Sequence, residues 1–182
     1  VTDLITSIHE YAFAYSELVS IKLHDKITSI GKGAFCHCSK LASIEIPQSL
    51  SLINASLFQY CVSLTKVTMG NNIGEIGDCA FDGCNSLQSI DLSQQLQIIG
   101  KSAFRLCSSL TSLDLPATVS SIEIFAFDFC TGFTSFTIPD KIIAIRSYQF
   151  EFCSNLESIT LPDSVVSIED GAFYCCEKLK TI

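Results

Sequence analysis

Phenylalanine recurs along this chain at a constant step of 23 residues, at Phe35, Phe58, Phe81, Phe104, Phe127, Phe150 and Phe173. Phe13 precedes Phe35 by 22, so one residue is missing from the first unit. A cysteine follows three positions after seven of these phenylalanines, at Cys38, Cys61, Cys84, Cys107, Cys130, Cys153 and Cys176. Three positions further on come Leu41, Leu64, Leu87, Leu110, Leu156 and Leu179, with Phe133 in the same column. Ile44, Val67, Ile90, Leu113, Phe136 and Ile159 keep the same step, and so do Ile30, Ile53, Ile76, Ile99, Ile122, Ile145 and Ile168. A repeat that never loses phase marks a solenoid, in which each unit buries its apolar face only against its neighbours. Residues 1–182 are therefore expected to form a single array of about eight such units, within a longer array.

Spacing inside the unit predicts its local structure. In Leu41-x-x-Ile44-x-Ile46 the last two apolar residues alternate with polar ones, the period of a half-buried strand. Pro47, Pro116, Pro139 and Pro162 end that strand, since proline has no N–H to give a ladder. A second apolar pair, such as Val119 and Ile122, predicts a brief extended segment, and Gly31, Gly77 or Gly100 then permits a turn. The Ala103-Phe104-x-x-Cys107 block places apolar residues three and four apart, which predicts one turn of helix or 3₁₀. The expected fold is a right-handed repeat solenoid. It would have one parallel β-sheet on a concave face, with short 3₁₀ or helical turns and short extended segments elsewhere. The phenylalanine and cysteine columns should stack as ladders inside it.

The unit Ile99-Gly100-x-x-Ala103-Phe104-x-x-Cys107-x-x-Leu110-x-x-Leu113-x-Leu115-Pro116 resembles the BspA-like class of leucine-rich repeats. The resemblance covers the whole chain and implies a leucine-rich-repeat coil. It implies a non-enzymatic, protein-binding role in adhesion, at the cell surface or secreted, in a host-associated microbe, with a host or cell-surface protein as partner. The family supplies no catalytic residue to carry over. The chain departs from the pattern where Gln149 and Leu57 replace the alanine, and where the first unit lacks its cysteine.

Composition narrows the partners. The chain is 48% apolar and 16% charged, ample for a core. A net charge of −8 argues against nucleic acid and anionic membrane. No run of 18 apolar residues exists, so no direct membrane insertion is expected. Val1 to Ile8 shows no secretory leader, and the chain starts in mid-repeat. Neither end shows a polar cap, so further repeats or end-to-end self-association are expected. A cytoplasmic interaction scaffold and a structural spacer remain the alternatives to an adhesion module.

The residues offer little for catalysis. Seven cysteines share one inward column with parallel Cβ vectors, an arrangement poor for disulfides, so they should be reduced. Cys36, Cys79 and Cys175 lie outside the column and are the expected reactive thiols. Cys36-His37-Cys38 with Cys61 has the wrong spacing for a zinc site, and His9 and His24 have no ligand constellation. There is no phosphate loop, nucleophile elbow or paired-acid motif. No catalytic residue, cofactor or metal is expected. Asn54-Ala55-Ser56 is a glycosylation sequon.

Two surfaces compete for a partner. On the concave sheet the outward residues form a serine and threonine track with charges at Glu45, Lys66, Asp91 and Asp114. Asp91 and Asp114 should stack on adjacent coils, either as a tolerated repulsion or as a docking point for a basic side chain. Elsewhere Leu106, Phe129 and Phe152 line up, with Phe125 and Tyr148 beside them. They mark either repacking around Phe133 and Phe136 or an exposed apolar patch. The acidic track is expected to set specificity, and the Phe129 patch to pack against a neighbouring chain or domain.

Overall fold

In the computed structural model, which describes residues 2–182, the chain is a parallel β-solenoid of about seven turns, with no helix among the described residues. Val1, the first residue of the Val1 to Ile8 segment that carries no leader pattern, lies outside them. One strand series runs through Ser43–Glu45, Lys66–Thr68 and Ser89–Asp91, and resumes with Ser135–Thr137 and Ser158–Thr160. All pairings are parallel, placing Ile44 opposite Val67, Val67 opposite Ile90, and Phe136 opposite Ile159. A second series of two-residue strands follows Leu52–Ile53, Glu75–Ile76, Ile98–Ile99 and Ser121–Ile122. The pairs Ser7–Ile8 with Ser29–Ile30, and Ala144–Ile145 with Ser167–Ile168, belong to the same series. Columns in the sequence are thus stacks in space.

Phe35, Phe58, Phe81, Phe104, Phe127 and Phe150 are fully buried, and successive rings stack with centroids 5.2–5.9 Å apart. The cysteine column has a specific task. Each thiol donates to the carbonyl of the phenylalanine one coil earlier, from Cys38 to Phe13 through Cys176 to Phe150, at 3.0–3.3 Å. The same carbonyl already accepts the N–H of the cysteine on its own coil, as Phe35 does from Cys38. The thiol uses the oxygen's second lone pair, which a dry core would otherwise leave empty.

The Ala-Phe-x-x-Cys block is not helical, contrary to its spacing. Every repeat phenylalanine is flanked, two positions before and two after, by a residue with positive φ. Thirteen of these residues are not glycine, among them His37, Tyr60, Ser102, Phe129 and Phe152. Backbone N–H groups explain the choice. Ala34, Cys36 and Cys38 donate back within their coil, while Gly33, Phe35 and His37 donate to the next coil, at Ala55, Leu57 and Gln59. A helix would spend every N–H on itself. Alternating handedness frees every second one for stacking, which offsets the roughly 1–2 kcal/mol that a side chain costs in a left-handed conformation.

Six of the nine glycines fall into two groups. Gly33, Gly83 and Gly171 occupy left-handed corners, and each lies beneath a tyrosine from the preceding coil. A Cβ there would fall 2.4 Å from the rings of Tyr11, Tyr60 and Tyr148 respectively. Gly31, Gly77 and Gly100 do not serve as positive-φ turns. An added Cβ would meet the previous coil's backbone, at Glu10 N 2.5 Å, Ala55 N 2.8 Å and Asp78 N 2.8 Å. They let the coils approach closely.

The sheet is interrupted as well, where a single continuous one was expected. Ser112–Asp114 forms no strand, although its columns continue through it. The next coil puts Phe133 and Phe136 in the leucine and isoleucine columns, both buried and packed edge-on at 5.1 Å and against Phe127 at 6.0 and 5.0 Å. Two rings larger than the residues of the other coils in these columns are thus packed into the core beside the unpaired segment. The two-residue series also breaks, and side-chain amides fill the gaps. Asn54 Nδ2 donates to Ile30 O at 2.7 Å, and buried Gln149 accepts the Arg146 N–H through Oε1 at 2.7 Å. The first unit's missing residue lies between Ser16 and Leu18, because Ala42 N bonds Val19 O as Thr65 N bonds Ala42 O.

All ten cysteines are free. Denaturing the unreduced protein in the presence of an alkylating agent should label every column thiol, read as added mass. Evidence of several bridges within the column would contradict the thiol-to-carbonyl ladder.

Candidate protein interface

On the longer strands, side chains flanking the buried central position point to solvent. Glu45, Lys66 and Asp91 are exposed, in register with their neighbours: Ser43 opposite Lys66, Glu45 opposite Thr68, and Thr68 opposite Asp91. Lys66 Nζ reaches Asp91 Oδ2 at 4.0 Å, and Thr68 Oγ1 donates to the same oxygen at 3.4 Å. Both partners of that ion pair are more than half exposed, so it holds little energy and remains open to exchange for a partner's group.

Asp114 does not complete the ladder. Its segment is unpaired, so it does not stack on Asp91 in a sheet as expected. The two carboxylates instead line a groove of about 340 Å³ with Gln88, Gln94 and Ser112. On its far side the same segment borders a second groove of about 420 Å³, lined by Asp114, Ser135, Thr137 and Asp140. The two grooves lie on either side of the unpaired segment, and buried Phe136 borders the second of them.

Phe129 and Phe152 lie at left-handed corners away from this face, half-buried and stacked at 4.3 Å. Phe125 and Tyr148 stack at 5.1 Å on the other corner of the same two coils. Neither pair owes its position to Phe133 or Phe136, which pack inward with Phe127 and Phe150. His37 is stacked between Tyr15 at 4.3 Å and Tyr60 at 4.9 Å, outside a core into which Cys38 and Cys61 point. The chain segment therefore sends these would-be metal ligands to opposite sides of the backbone.

Between the two corner columns runs a charged row that the sequence did not single out. Gln59 Nε2 donates to Asp82 Oδ2 at 2.9 Å, and Arg105 bridges Asp82 Oδ1 at 3.4 Å and Asp128 Oδ2 at 3.1 Å. Both carboxylates are 5% exposed and Arg105 is 35% exposed. Burial pushes the Asp128 carboxyl up to about 6, with Arg105 opposing the rise and Glu151 adding to it. Its Oδ1 is buried without a hydrogen-bond partner. Each member lies one position after a repeat phenylalanine, and tracking charge at that offset would have found the row.

The thiols outside the column are less open than expected. Cys36 is buried, and desolvation followed by Cys38 raises it. Cys79 is half-buried and is raised by desolvation and then by Asp82 and Asp78. Neither is held as a thiolate, the reactive form. Cys175 is half-buried at a left-handed corner. The sequon asparagine is half-buried, with its amide engaged on Ile30 O.

A stack of parallel strands with unit-long register steps and a phenylalanine ladder defines a leucine-rich-repeat solenoid. The model for the BspA type leucine rich repeat region matches residues 6–130 and 97–182, in six copies, and the chain belongs to that family. Among curated proteins, none matches. Solved structures do. A leucine rich repeat protein from T. pallidum is 27% identical with a TM-score of 0.79, covering 97% of this chain and 72% of that one. A leucine rich cell surface protein from Faecalibacterium prausnitzii A2-165 is 26% identical, TM-score 0.68, over 87% of this chain. The match spans 52% of that protein, so this chain corresponds to about half its length. A leucine-rich repeat protein from Bacteroides ovatus, at 22% identity and TM-score 0.59, shares the fold.

Proposed function

We propose that the chain is a non-enzymatic protein-binding module that acts in adhesion, at the cell surface or after secretion. The observation that carries this is the rigid row of outward side chains on the longer strands, held in register and opened into two grooves around Asp114. Family membership supports a repeat module for protein interaction, and similarity to a cell surface protein supports the location. Asp91 and Asp114 set specificity for a partner's basic side chains. Reduced thiols would suit a cytoplasmic scaffold. Here they are mostly buried hydrogen-bond donors, so they weigh little between compartments.

Labelled protein should bind cultured host cells or immobilised extracellular proteins, with binding weakening as salt rises. Asp91→Lys with Asp114→Lys should reduce binding about tenfold or more, by setting like charges against each other. If that pair leaves binding unchanged while Phe129→Ser with Phe152→Ser abolishes it, the site lies on the corner columns. Failure to bind any cell or protein surface would sink adhesion.

A further inference from the structure

The coils of Phe127 and Phe150 share an arrangement that no other adjacent pair carries. Across three columns, one coil presents Phe125, Asp128 and Phe129, and the next presents Tyr148, Glu151 and Phe152. Preceding coils hold Cys79, Asp82 and Gly83, then Ser102, Arg105 and Leu106. The rings pair up across the two coils, Phe125 on Tyr148 with planes 5° apart and Phe129 on Phe152 with planes 19° apart. Two aromatic stacks therefore flank two carboxylates on neighbouring coils. A cleft of about 480 Å³ opens at this place, lined by Phe125, Asp128, Phe129 and Glu151 and reaching back to Arg105 and Lys101.

The charges in the cleft are not balanced. Arg105 is committed to Asp82 and to Oδ2 of Asp128. Asp128 Oδ1 is buried with no donor, and Asp128 as a whole is 4% exposed. Glu151 makes no ion pair among the described residues. Lys101 is two coils away from Glu151, about 10 Å at the spacing of stacked strands. A buried carboxylate oxygen without a partner is rare, and it demands a hydrogen-bond donor. Phe125 and Phe129 line the cleft, and their faces turned away from Tyr148 and Phe152 add an attraction for cations.

We propose that this cleft binds an arginine side chain of a partner protein. A guanidinium is flat and weakly hydrated, stacks on rings, and carries five donors that can serve two carboxylates together. The row already accepts one guanidinium, that of Arg105, between Asp82 and Asp128. A lysine ammonium is compact and strongly hydrated, and gains less from two ring walls. A divalent cation wants six or more oxygens, and this cleft offers the free oxygens of two carboxylates between two aromatic columns. The net charge of −8 draws a basic partner by steering. The proposal rests on the chain being a protein-binding module and adds a second contact, chemically unlike the strand face.

The test titrates the whole chain, its phenylalanine rings isotope-labelled, with the blocked tripeptide Gly-Arg-Gly and follows the spectrum by NMR. Saturable shifts are expected at Phe125 and Phe129, with none from Gly-Ala-Gly. Glu151→Gln leaves the Arg105 pairs intact and should weaken binding about tenfold, as should Phe129→Leu, which keeps the carboxylates. Glu75→Gln, exposed on the series of two-residue strands and equal in charge change, should leave it unchanged. Calcium saturating the cleft in place of the peptide, equal binding of Gly-Lys-Gly, or shifts that spread over the surface without saturating would each overturn the proposal. Because the probe is a free tripeptide with a local readout, such a failure leaves the strand face, tested by the lysine pair on cells, untouched.

Discussion

Replacing Phe104 by alanine should destabilise the chain by about 3–5 kcal/mol, and the same change at Phe13 clearly less. Phe104 is fully buried and stacks on both sides, 5.3 Å from Phe81 and 5.9 Å from Phe127. Truncation there removes two ring contacts and opens a cavity that neighbouring rings, themselves stacked, cannot collapse to fill. Phe13 is half-buried and stacks only on Phe35, at 5.4 Å. Its loss costs one contact and leaves a space that water reaches. Urea titrations of the two variants, compared by midpoint at equal slope, measure the difference. Equal losses would mean that the ladder is not what holds the coils together.

Arg105→Met is expected to be nearly as damaging, about 3 kcal/mol near neutral pH, the low end for a broken buried pair because the arginine is partly exposed. The cost lies in the carboxylates it leaves behind. Asp82 and Asp128 stay buried and lose their shared cation, and Asp128 keeps Glu151 as a repulsive neighbour. The pH dependence has a definite sign. The Asp128 carboxyl already titrates at about 6 in the folded chain against an ordinary 3.8, so the folded state takes up its proton first. Its drag on stability is absent below the lower value, grows between the two, and is complete above the higher. Removing Arg105 moves the folded value further up. The gap in stability between the variant and the parent should therefore shrink from about pH 7 to about pH 5. A gap that stays constant over this range would show that Arg105 acts through packing alone.

The columns that build the interior were legible because each side chain there must meet its own kind one coil away. A 23-residue period records that directly, and the cysteines could be placed inside from it. The corners were not legible. Apolar residues at spacings of three and four satisfy a helical turn and a left-handed corner alike, and His37, Tyr60 and Phe129 carry no mark of positive φ. Only three of the sixteen corner positions are glycine. The strand face was read correctly in register but not in continuity, because Phe133 and Phe136 substitute in phase and betray their excess volume only in three dimensions. The row from Gln59 to Glu151 was not legible because each member looks like an isolated polar or charged surface residue within its own unit.

The direction of the thiol bonds bears on how such a chain is made. Every column cysteine reaches backward, to a carbonyl on the coil that precedes it in the sequence. During synthesis the acceptor therefore leaves the ribosome before its donor does. Each new coil, as it emerges, finds a docking edge with its lone pairs already in position. The array can close one turn at a time from the N-terminal side, without waiting for any distant segment. Contacts between consecutive units are short in sequence terms, so the entropy of bringing them together stays small at every step. Once the first few coils have stacked, a growing nascent chain of this kind need expose little more than its last unit's apolar face.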